Sequence, residues 1–172
     1  MRPVRAGERI LEIGCGLALA SLVGHRRGAD ITASDCHPLA PSFLGENARL
    51  NGLAPVKYRH GQWSIGAPRP GGRPATGGAR IVRGRFDLII GSDLLYERDD
   101  DSALAGFIGR HAAAGAEVWI VDPDRANRTA FTRQMAALGF GLQEQRLDRS
   151  AAPGVAAFKG RLLTYRTREV LQ

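Results

Sequence analysis

The chain of 172 residues contains few cysteines and no long apolar run. Its two cysteines, Cys15 and Cys36, are too few for a disulfide framework or a cysteine-based metal centre, so we predict no metal site. No segment is apolar over enough residues to form a signal peptide or a membrane-spanning helix. These absences predict a soluble, cytoplasmic protein that has no membrane partner and keeps its cysteines reduced.

Lysine is also scarce, and the positive charge therefore comes almost entirely from arginine. The formal net charge is +7, but lysine occurs only at Lys57 and Lys159. The arginines are scattered along the chain, without a basic stripe or interleaved aromatic residues, so the pattern does not favour a nucleic-acid surface. Such a composition is typical of a G+C-rich genome, and nucleic acid stays only a weaker alternative partner.

One stretch, residues 9–22, predicts a strand, a glycine turn and a helix in succession. Residues 10–13 form the short apolar run that is typical of a strand buried on both faces. Gly14 and Gly16 end that strand, and apolar residues then recur at helical spacing over residues 17–27. Glycines belong in such a turn because the backbone bends sharply there and comes close to a ligand, which the helix N-terminus faces.

The spacing within this turn distinguishes two classes of ligand. A dinucleotide-binding turn requires its third glycine where this chain has Leu19, and the small residue is Ala18 instead. Glu12 lies two residues before Gly14, where an acidic side chain can face a cationic ligand. The turn therefore reads Glu-x-Gly-x-Gly-x-Ala, and a tight strand–helix turn without a ligand remains the alternative.

A second acidic residue follows the next predicted strand, residues 30–34. Asp35 lies 19 residues after Gly16. In nucleotide-binding α/β folds, an acidic residue at about this interval accepts hydrogen bonds from ribose hydroxyls. We therefore predict that Asp35 binds a ribose, and the alternative is an acidic residue that is merely exposed at a strand end.

The rest of the chain continues to alternate between strands and helices. This alternation predicts a mostly parallel sheet with helices on both faces, and two closing strands without a helix between them predict an antiparallel pair. Ser102 is the expected N-cap of one helix. The further predicted strands are residues 56–60, 86–91, 117–121, 140–147 and 158–166, and the further predicted helices are residues 38–50, the segment after Ser102 and residues 127–138.

Residues 64–85 differ from the rest of the chain in composition. They are rich in glycine, proline and arginine and contain almost no large apolar residue, so we predict a flexible loop. No internal repeat or second domain is evident. Residues 1–172 are therefore predicted to form one α/β domain with a doubly wound, mostly parallel, Rossmann-like sheet of seven strands, the last of them antiparallel.

Ligands in such sheets bind at the carboxyl ends of the strands, near the point where the strand order reverses. Several residues with ligand-binding chemistry fall at predicted strand ends. Because they converge on one edge of the sheet, we predict one shared site. The residues at the predicted strand ends are Gly14, Asp35, Gln62, Trp63, Ser92 and Asp93.

Three motifs resemble those of a known family. The turn Glu-x-Gly-x-Gly-x-Ala resembles motif I of the class I, seven-strand S-adenosylmethionine-dependent methyltransferases. Asp93-Leu94-Leu95-Tyr96 resembles the Asp-x-x-Tyr motif of the protein-lysine methyltransferase group within that class, methyltransferase family 16. Gln62-Trp63 is similar to the acidic-Trp pair of that family, with Gln62 in place of the acid. The resemblance covers residues 9–166, nearly the whole chain.

The resemblance implies an N-methyltransferase that uses S-adenosylmethionine and transfers a methyl group to a protein lysine or a small amine. It implies that Asp93 and Tyr96 border the acceptor site and orient the amine. The alternatives are that Tyr96 is a loop aromatic and Trp63 a core aromatic. The implied cofactor contacts are Glu12, Gly14, Cys15, Gly16 and Ala18 for the methionine end, Asp35 for the ribose, Gln62 and Trp63 for the adenine, and Ser92 and Asp93 beside the methionine amino group.

Two other functions stay open. A non-catalytic cofactor-binding or scaffold module is favoured by the short N-terminus, because family members carry a covering segment before motif I and only eight residues precede Arg9. If that segment is missing, we expect an open cofactor cleft, weak cofactor affinity and self-association through uncovered apolar surface. A nucleic-acid methyltransferase is disfavoured, because Ser92-Asp93-Leu94-Leu95 stands where that group has Asn/Asp-Pro-Pro-Tyr/Phe.

Overall fold

Seven strands and four helices are found in the computed structural model, which describes residue 3 and residues 5–63 and 80–167. No helix within these ranges is long and apolar enough to cross a membrane. In chain order the elements are β1 (Arg9–Ile13), α1 (Leu19–Arg26), β2 (Asp30–Asp35), α2 (Ala40–Leu50), β3 (Lys57–His60), β4 (Phe86–Ser92), α3 (Ala103–His111), β5 (Ala112–Asp122), α4 (Arg128–Ala137), β6 (Phe140–Arg146) and β7 (Arg161–Thr167).

The strands form one sheet in the order β3-β2-β1-β4-β5-β7-β6. Neighbours from β3 to β5 pair in parallel, whereas β7 is antiparallel to both β5 and β6. The predicted mostly parallel sheet with an antiparallel last strand is therefore confirmed. That last strand lies inside the sheet, and β6 forms the edge. The strand order reverses between β1 and β4, which is the place where such sheets bind ligands.

Helices α3 and α4 cover one face of the sheet. Leu11, Ile89, Val118 and Leu163, from four neighbouring strands, are each 0% exposed and belong to one cluster with side chains of both helices. Their positions follow from the strand period of two, which sends every second side chain to the same face. This cluster is the main core, and it fixes the strands whose ends form the site.

The opposite face divides into two halves. Over β1 to β3 it is covered by α1 and α2, whose Leu22 and Leu44 pack with Ala33 in a second buried cluster. Over β4 and β5 the side chains of Ile90 and Trp119 are only half-buried. The described residues therefore cover this second half of the face less completely than the first.

Several element boundaries differ from the predicted ones, and three of the differences have a local reason. Helix α1 begins at Leu19 and not at residue 17, because Ala18 has a left-handed backbone with φ of 59°. Strand β7 begins at Arg161 and not at residue 158, because Phe158 pairs with Arg149 in an isolated bridge before the strand starts. Strand β5 is longer than predicted, since its pairing with β4 continues toward the N-terminus across an irregularity in register.

Most of the predicted flexible loop, residues 64–79, lies outside the described residues. The described remainder runs along the edge of the sheet. The His60 N–H donates to the Arg80 carbonyl oxygen and the Val82 N–H donates to the His60 carbonyl oxygen, both at 3.0 Å. Val82 is 6% exposed and joins the main core. Residues 80–85 are thus anchored to β3 before they lead into β4.

The prediction that Ser102 caps its helix is wrong. Ser102 has a left-handed backbone with φ of 54°, and its side chain makes no cap hydrogen bond. Asp99 caps α3 instead. Its Oδ1 accepts a hydrogen bond from the Ala103 N–H and its Oδ2 accepts one from the Leu104 N–H, both at 2.9 Å. A carboxylate at this end also complements the helix dipole.

Asp99→Ala is expected to lower the free energy of unfolding by about 1 kcal/mol, because two amide groups at the helix start lose their acceptor. Ser102→Ala is the matched control and should stay within about 0.5 kcal/mol of wild type. Urea denaturation followed by circular dichroism measures both values. Equal losses in the two variants would contradict the assignment of the cap to Asp99.

Candidate active site

The carboxyl ends of β1, β2 and β4 meet where the strand order reverses, and the predicted site residues lie there. Gly14 follows β1, Asp35 ends β2, and Ser92 ends β4 directly before Asp93. These residues differ in exposure, which separates those open to a ligand from those packed behind the site. Gly16, Gln62, Ser92, Asp93 and Tyr96 are exposed, Gly14, Asp35 and Trp63 are half-buried, and Glu12, Cys15 and Ala18 are buried.

A left-handed backbone at Gly14, Gly16 and Ala18, with φ of 59°, 51° and 59°, turns the chain from β1 into α1. The two glycines have different surroundings. A Cβ on Gly14 would lie 2.5 Å from Leu94 Cδ2 and 3.6 Å from the ring of Trp63, so the chain itself fills that space. A Cβ on Gly16 would meet nothing within 4 Å among the described atoms. Gly16 is therefore the glycine that a ligand can approach.

Asp35 ties this turn to the end of β2. Its Oδ2 accepts a hydrogen bond from the Gly16 N–H and its Oδ1 accepts one from the His37 N–H, both at 2.8 Å. Because a carboxylate offers about four lone-pair positions, two remain for the hydroxyl groups of a ligand. The Tyr58 hydroxyl donates to the Asp35 carbonyl oxygen at 2.9 Å. The pKa of Tyr58 is raised to about 12, mainly because the hydroxyl is partly buried.

Glu12 and Cys15 are 5% and 7% exposed. The Glu12 carboxylate accepts hydrogen bonds from the Ser21 N–H, at 2.9 Å, and from the Ser21 hydroxyl, so it holds the first turn of α1. Burial raises the pKa of Glu12 and raises that of the Cys15 thiol to about 12. Cys15 is therefore a packed, neutral thiol, and a contact between Glu12 and a ligand stays a prediction.

Trp63 lies beside the glycine turn, packs against the main core and is half-buried. Arg110 Nη2 donates to the Trp63 carbonyl oxygen at 3.2 Å, which joins the segment after β3 to α3. Gln62 is exposed next to it. The structure thus gives Trp63 a packing role and leaves its predicted contact with a ligand as a prediction.

Asp93 is paired with a residue to which the sequence analysis assigns no role. Asp93 has a left-handed backbone with φ of 54°, and its N–H donates to the Val121 carbonyl oxygen at 2.8 Å. Arg125 binds both carboxylate oxygens, with Nε donating to Oδ1 at 2.7 Å and Nη2 to Oδ2 at 2.8 Å. These hydrogen bonds lower the pKa of Asp93 and raise that of Arg125, so both groups are charged at neutral pH.

Arg125 belongs to the turn between β5 and α4, which is itself held by ion pairs. The Asp124 carboxylate binds Arg146 at 2.7 Å, Arg161 at 2.9 Å and Arg128 at 3.3 Å. These arginines come from β6, β7 and α4, so the turn is fixed from three sides. The sequence signal for Arg125 is Asp-Pro-Asp-Arg directly after a strand of the predicted parallel sheet, which places it at the same edge as Asp93.

Tyr96 is 59% exposed. Partial burial of its hydroxyl raises its pKa, and the negative charges of Glu97, Asp35 and Asp93 add to that effect. The hydroxyl is therefore within electrostatic reach of both the end of β2 and the end of β4. The structure brings Tyr96 and Asp93 to the same edge as Gly16 and Asp35, as the sequence predicts.

Proteins named as lysine methyltransferases resemble this chain, although no family model matches it. It is 30% identical to the electron transfer flavoprotein beta subunit lysine methyltransferase of Danio rerio over 129 residues. These aligned residues make up 72% of this chain and 43% of that protein. It is 22% identical, over 144 residues, to the EEF1A lysine methyltransferase 3 of Mus musculus, covering 83% and 57%. The chain thus spans about half the length of these relatives.

Solved methyltransferase structures share the architecture of this chain. A methyltransferase from Pyrococcus furiosus matches this chain with a TM-score of 0.67 and 19% sequence identity. The match covers 96% of this chain and 78% of the Pyrococcus furiosus chain. A TehB-like SAM-dependent methyltransferase from Corynebacterium glutamicum has a TM-score of 0.67 at 17% identity, with 98% and 83% covered. The chain has the class I methyltransferase fold. The class I fold and the likeness to lysine methyltransferases, both predicted from the motifs, are confirmed.

Asp122, the last residue of β5, is a buried carboxyl group next to the turn that carries Arg125. It is 0% exposed, and its Oδ2 accepts a hydrogen bond from the Arg125 N–H at 2.9 Å. Its Oδ1 has no hydrogen-bond partner among the residues that the structure describes. Burial is the main cause that raises the pKa of Asp122. Ionising this carboxyl group is therefore harder in the folded protein than in the unfolded chain.

Asp122→Asn is expected to stabilise the protein at neutral pH by about 1 kcal/mol, because the amide keeps an acceptor for Arg125 and carries no charge. Since the folded-state pKa is raised, wild type loses stability as the pH rises from about 4 through that raised value. The variant lacks this loss. Its gain in unfolding free energy should therefore grow between about pH 4 and pH 7, as measured by urea denaturation.

Asp148→Asn is the control of opposite sign. Hydrogen bonds from Arg146 are the main cause that lowers the pKa of Asp148, so its charge stabilises the fold above the ordinary carboxyl pKa. This variant should lose stability, relative to wild type, as the pH rises. A gain from Asp122→Asn that is the same at every pH would contradict the raised pKa of Asp122.

Proposed function

We propose that this chain is an S-adenosylmethionine-dependent N-methyltransferase whose acceptor is the side-chain amine of a protein lysine. The placement of Asp93 and Tyr96 beside Gly16 and Asp35, at one edge of a class I methyltransferase sheet, carries this proposal. The names of the relatives support a protein lysine over a small amine. Because the chain spans only part of those relatives, its activity is proposed from the site itself.

The residues of the glycine turn fit the cofactor. No described atom lies within 4 Å of the Cβ position of Gly16, and Asp35 keeps lone pairs that can accept hydrogen bonds from ribose hydroxyls. Trp63 and Gln62 lie beside the turn, where they would hold the adenine. Leu19, in place of a third glycine, favours S-adenosylmethionine over a dinucleotide. When bound, S-adenosylmethionine supplies a methyl group on a sulfonium sulfur, which leaves as a thioether while the methyl carbon bonds to the acceptor nitrogen.

Asp93 and Tyr96 act on the acceptor amine. Only the neutral amine has a lone pair for the transfer, so a lysine ammonium first gives one proton to water. Asp93 accepts an N–H hydrogen bond from the amine and thereby orients the nitrogen lone pair. Tyr96, three residues after Asp93 in the same loop, is protonated at neutral pH, because the ordinary tyrosine pKa of about 10 is raised further by partial burial. The product nitrogen carries the positive charge that the sulfur gives up.

The alternatives from the sequence analysis have less support. A non-catalytic module does not require a charged, oriented Asp93 at the open edge beside Gly16. A nucleic-acid methyltransferase lacks support from the comparisons, since the curated relatives are named for protein acceptors. A cytoplasmic location stays a prediction from composition.

Gly16→Val is expected to abolish the binding of S-adenosylhomocysteine that calorimetry should detect in wild type, because the side chain fills the space that the ligand approaches. Gly28→Val is the matched control. Gly28 also has a positive φ, of 78°, and its Cβ position meets no described atom within 4 Å, but it precedes β2 at the opposite edge of the sheet. Both variants carry similar backbone strain, so binding should separate them. Binding of NAD in place of S-adenosyl compounds by wild type would contradict the cofactor assignment.

Methyl transfer is tested with tritiated S-adenosylmethionine and two acceptors, the recombinant electron transfer flavoprotein beta subunit and a lysate of source cells. We expect label on a lysine side chain. Asp93→Ala should lower the transfer by about a hundredfold, because the amine is no longer oriented. Its free energy of unfolding should change by less than about 1 kcal/mol, because Asp93 is exposed and its ion pair is solvated.

Asp100→Ala is the matched control for this substitution. Asp100 is an exposed acid in the same loop, and it pairs with Arg98 at 2.5 Å. This variant should transfer methyl groups at the wild-type rate. Wild-type turnover in Asp93→Ala would contradict the role of Asp93, and label on nucleic acid would contradict the lysine acceptor.

A further inference from the structure

The carboxylate that the proposed function places at the acceptor site is already paired. Asp93 and Arg125 share two hydrogen bonds of 2.7 and 2.8 Å, and their side chains are 46% and 43% exposed. A bidentate pair of this kind fixes the orientation of both groups. An amine that reaches Asp93 therefore meets an ion pair without net charge and not a lone anion.

The backbone, and not a long flexible side chain alone, brings this pair together. The Asp93 N–H is bonded to Val121 of β5, and Arg125 follows that strand with its own N–H bonded to Asp122. Asp124, the residue before Arg125, is held by arginines of α4, β6 and β7. The pair is thus a fixed feature of the ends of β4 and β5, present before any acceptor arrives.

We propose that Arg125 is a specificity-determining residue, which makes the acceptor site select a neutral amine over an ammonium group. This proposal rests on the proposed N-methyltransferase function. Arg125 uses two lone-pair positions of the Asp93 carboxylate, and two remain to accept an N–H of the amine. Asp93 can therefore orient the amine while the charge of Arg125 opposes the binding of a second cation.

Without Arg125, the lone carboxylate would hold a lysine ammonium in an unproductive ion pair. An opposite charge within about 4–6 Å favours the protonated form of an amine, and that form has no lone pair to accept a methyl group. The other groups nearby are mostly acids, and Arg128 is bound to Asp124. The titratable groups around the pair are Asp122 of β5, Asp124 of the following turn, Arg128 of α4, Tyr96 and Glu97 of the β4–α3 loop, and Asp35 and Cys36 at the end of β2.

The test measures methyl transfer to n-butylamine, a primary amine with the same four-carbon chain as the lysine side chain. Wild type and Arg125→Ala are compared from about pH 7 to pH 10. At pH 8, kcat and KM of the variant should both fall about tenfold, because the ammonium occupies the site unproductively, while kcat/KM changes less than about threefold. The pH profile of kcat reports the bound amine and should move about one pH unit higher.

Two further variants separate the charge of Arg125 from its geometry. Arg125→Lys keeps the positive charge and loses the bidentate contact, so its kcat profile should stay within about 0.3 pH unit of wild type. Arg49→Ala removes an exposed arginine that pairs with Glu46 on α2, and its kinetics should equal those of wild type. A variant that only disturbs the fold lowers kcat/KM at every pH and does not lower KM.

A second measurement does not depend on methyl transfer. Carbon NMR can follow the titration of the Asp93 carboxyl group in the protein without cofactor or acceptor. Its midpoint should lie below the usual range for Asp in wild type and rise in Arg125→Ala. A midpoint that does not change would overturn the pairing on which the proposal depends.

The kinetic outcomes distinguish this proposal from the proposed function. An active wild type with the same kcat profile as Arg125→Ala overturns the proposal and leaves the proposed function standing. A loss of kcat/KM that no pH restores, or faster turnover of Arg125→Ala at neutral pH, overturns it as well. If wild type transfers no methyl group to n-butylamine or to any protein, the proposed function fails and this proposal fails with it.

Discussion

The hydrogen bond from the Gly16 amide to the Asp35 carboxylate is the contact on which the site depends. The left-handed turn after β1 leaves backbone amides without partners in a helix or a strand, and such groups need acceptors. Asp35 supplies one acceptor, and the Ser34 carbonyl oxygen supplies another for the Cys15 N–H at 3.0 Å. Glu12 then holds the start of α1. The ends of two strands and one helix are thereby fixed around the open side of Gly16.

Leu94 connects this turn to the loop after β4, which carries Asp93. Its Cδ2 lies 2.5 Å from where a Cβ on Gly14 would be, and its Cδ1 lies 2.5 Å from the equivalent position on Gly91. The first of the two leucines between Asp93 and Tyr96 thus packs into space that two glycines leave free. Gly14 is therefore required by the packing of the protein itself, whereas Gly16 is the position left open to a ligand. A side chain on Gly14 would displace the loop that carries Asp93.

The succession of strands and helices along the chain and the edge that holds the site could be predicted from the sequence, because apolar runs, glycine turns and strand ends are local patterns. The Asp93–Arg125 pair could not, since it joins side chains 32 residues apart and depends on how β5 lies against β4. The sequence predicts Ser102 as the cap of α3, but Asp99 is the cap. Both residue types serve as caps, and the path of the intervening chain decides which one reaches the amides.

The arginine-rich composition has a structural use at the site, where arginines and acids bind each other. Asp124 alone binds three arginines, and Arg125 neutralises Asp93. Two acids of the neighbouring loop are also engaged, since Asp99 binds the amides of α3 and Asp100 binds Arg98. A chain of net charge +7 exerts no general attraction on a lysine ammonium. If the proposed function holds, discrimination between ammonium and amine falls to the short-range pairing at Asp93, where the Arg125 guanidinium makes the carboxylate an oriented acceptor and not a lone anion.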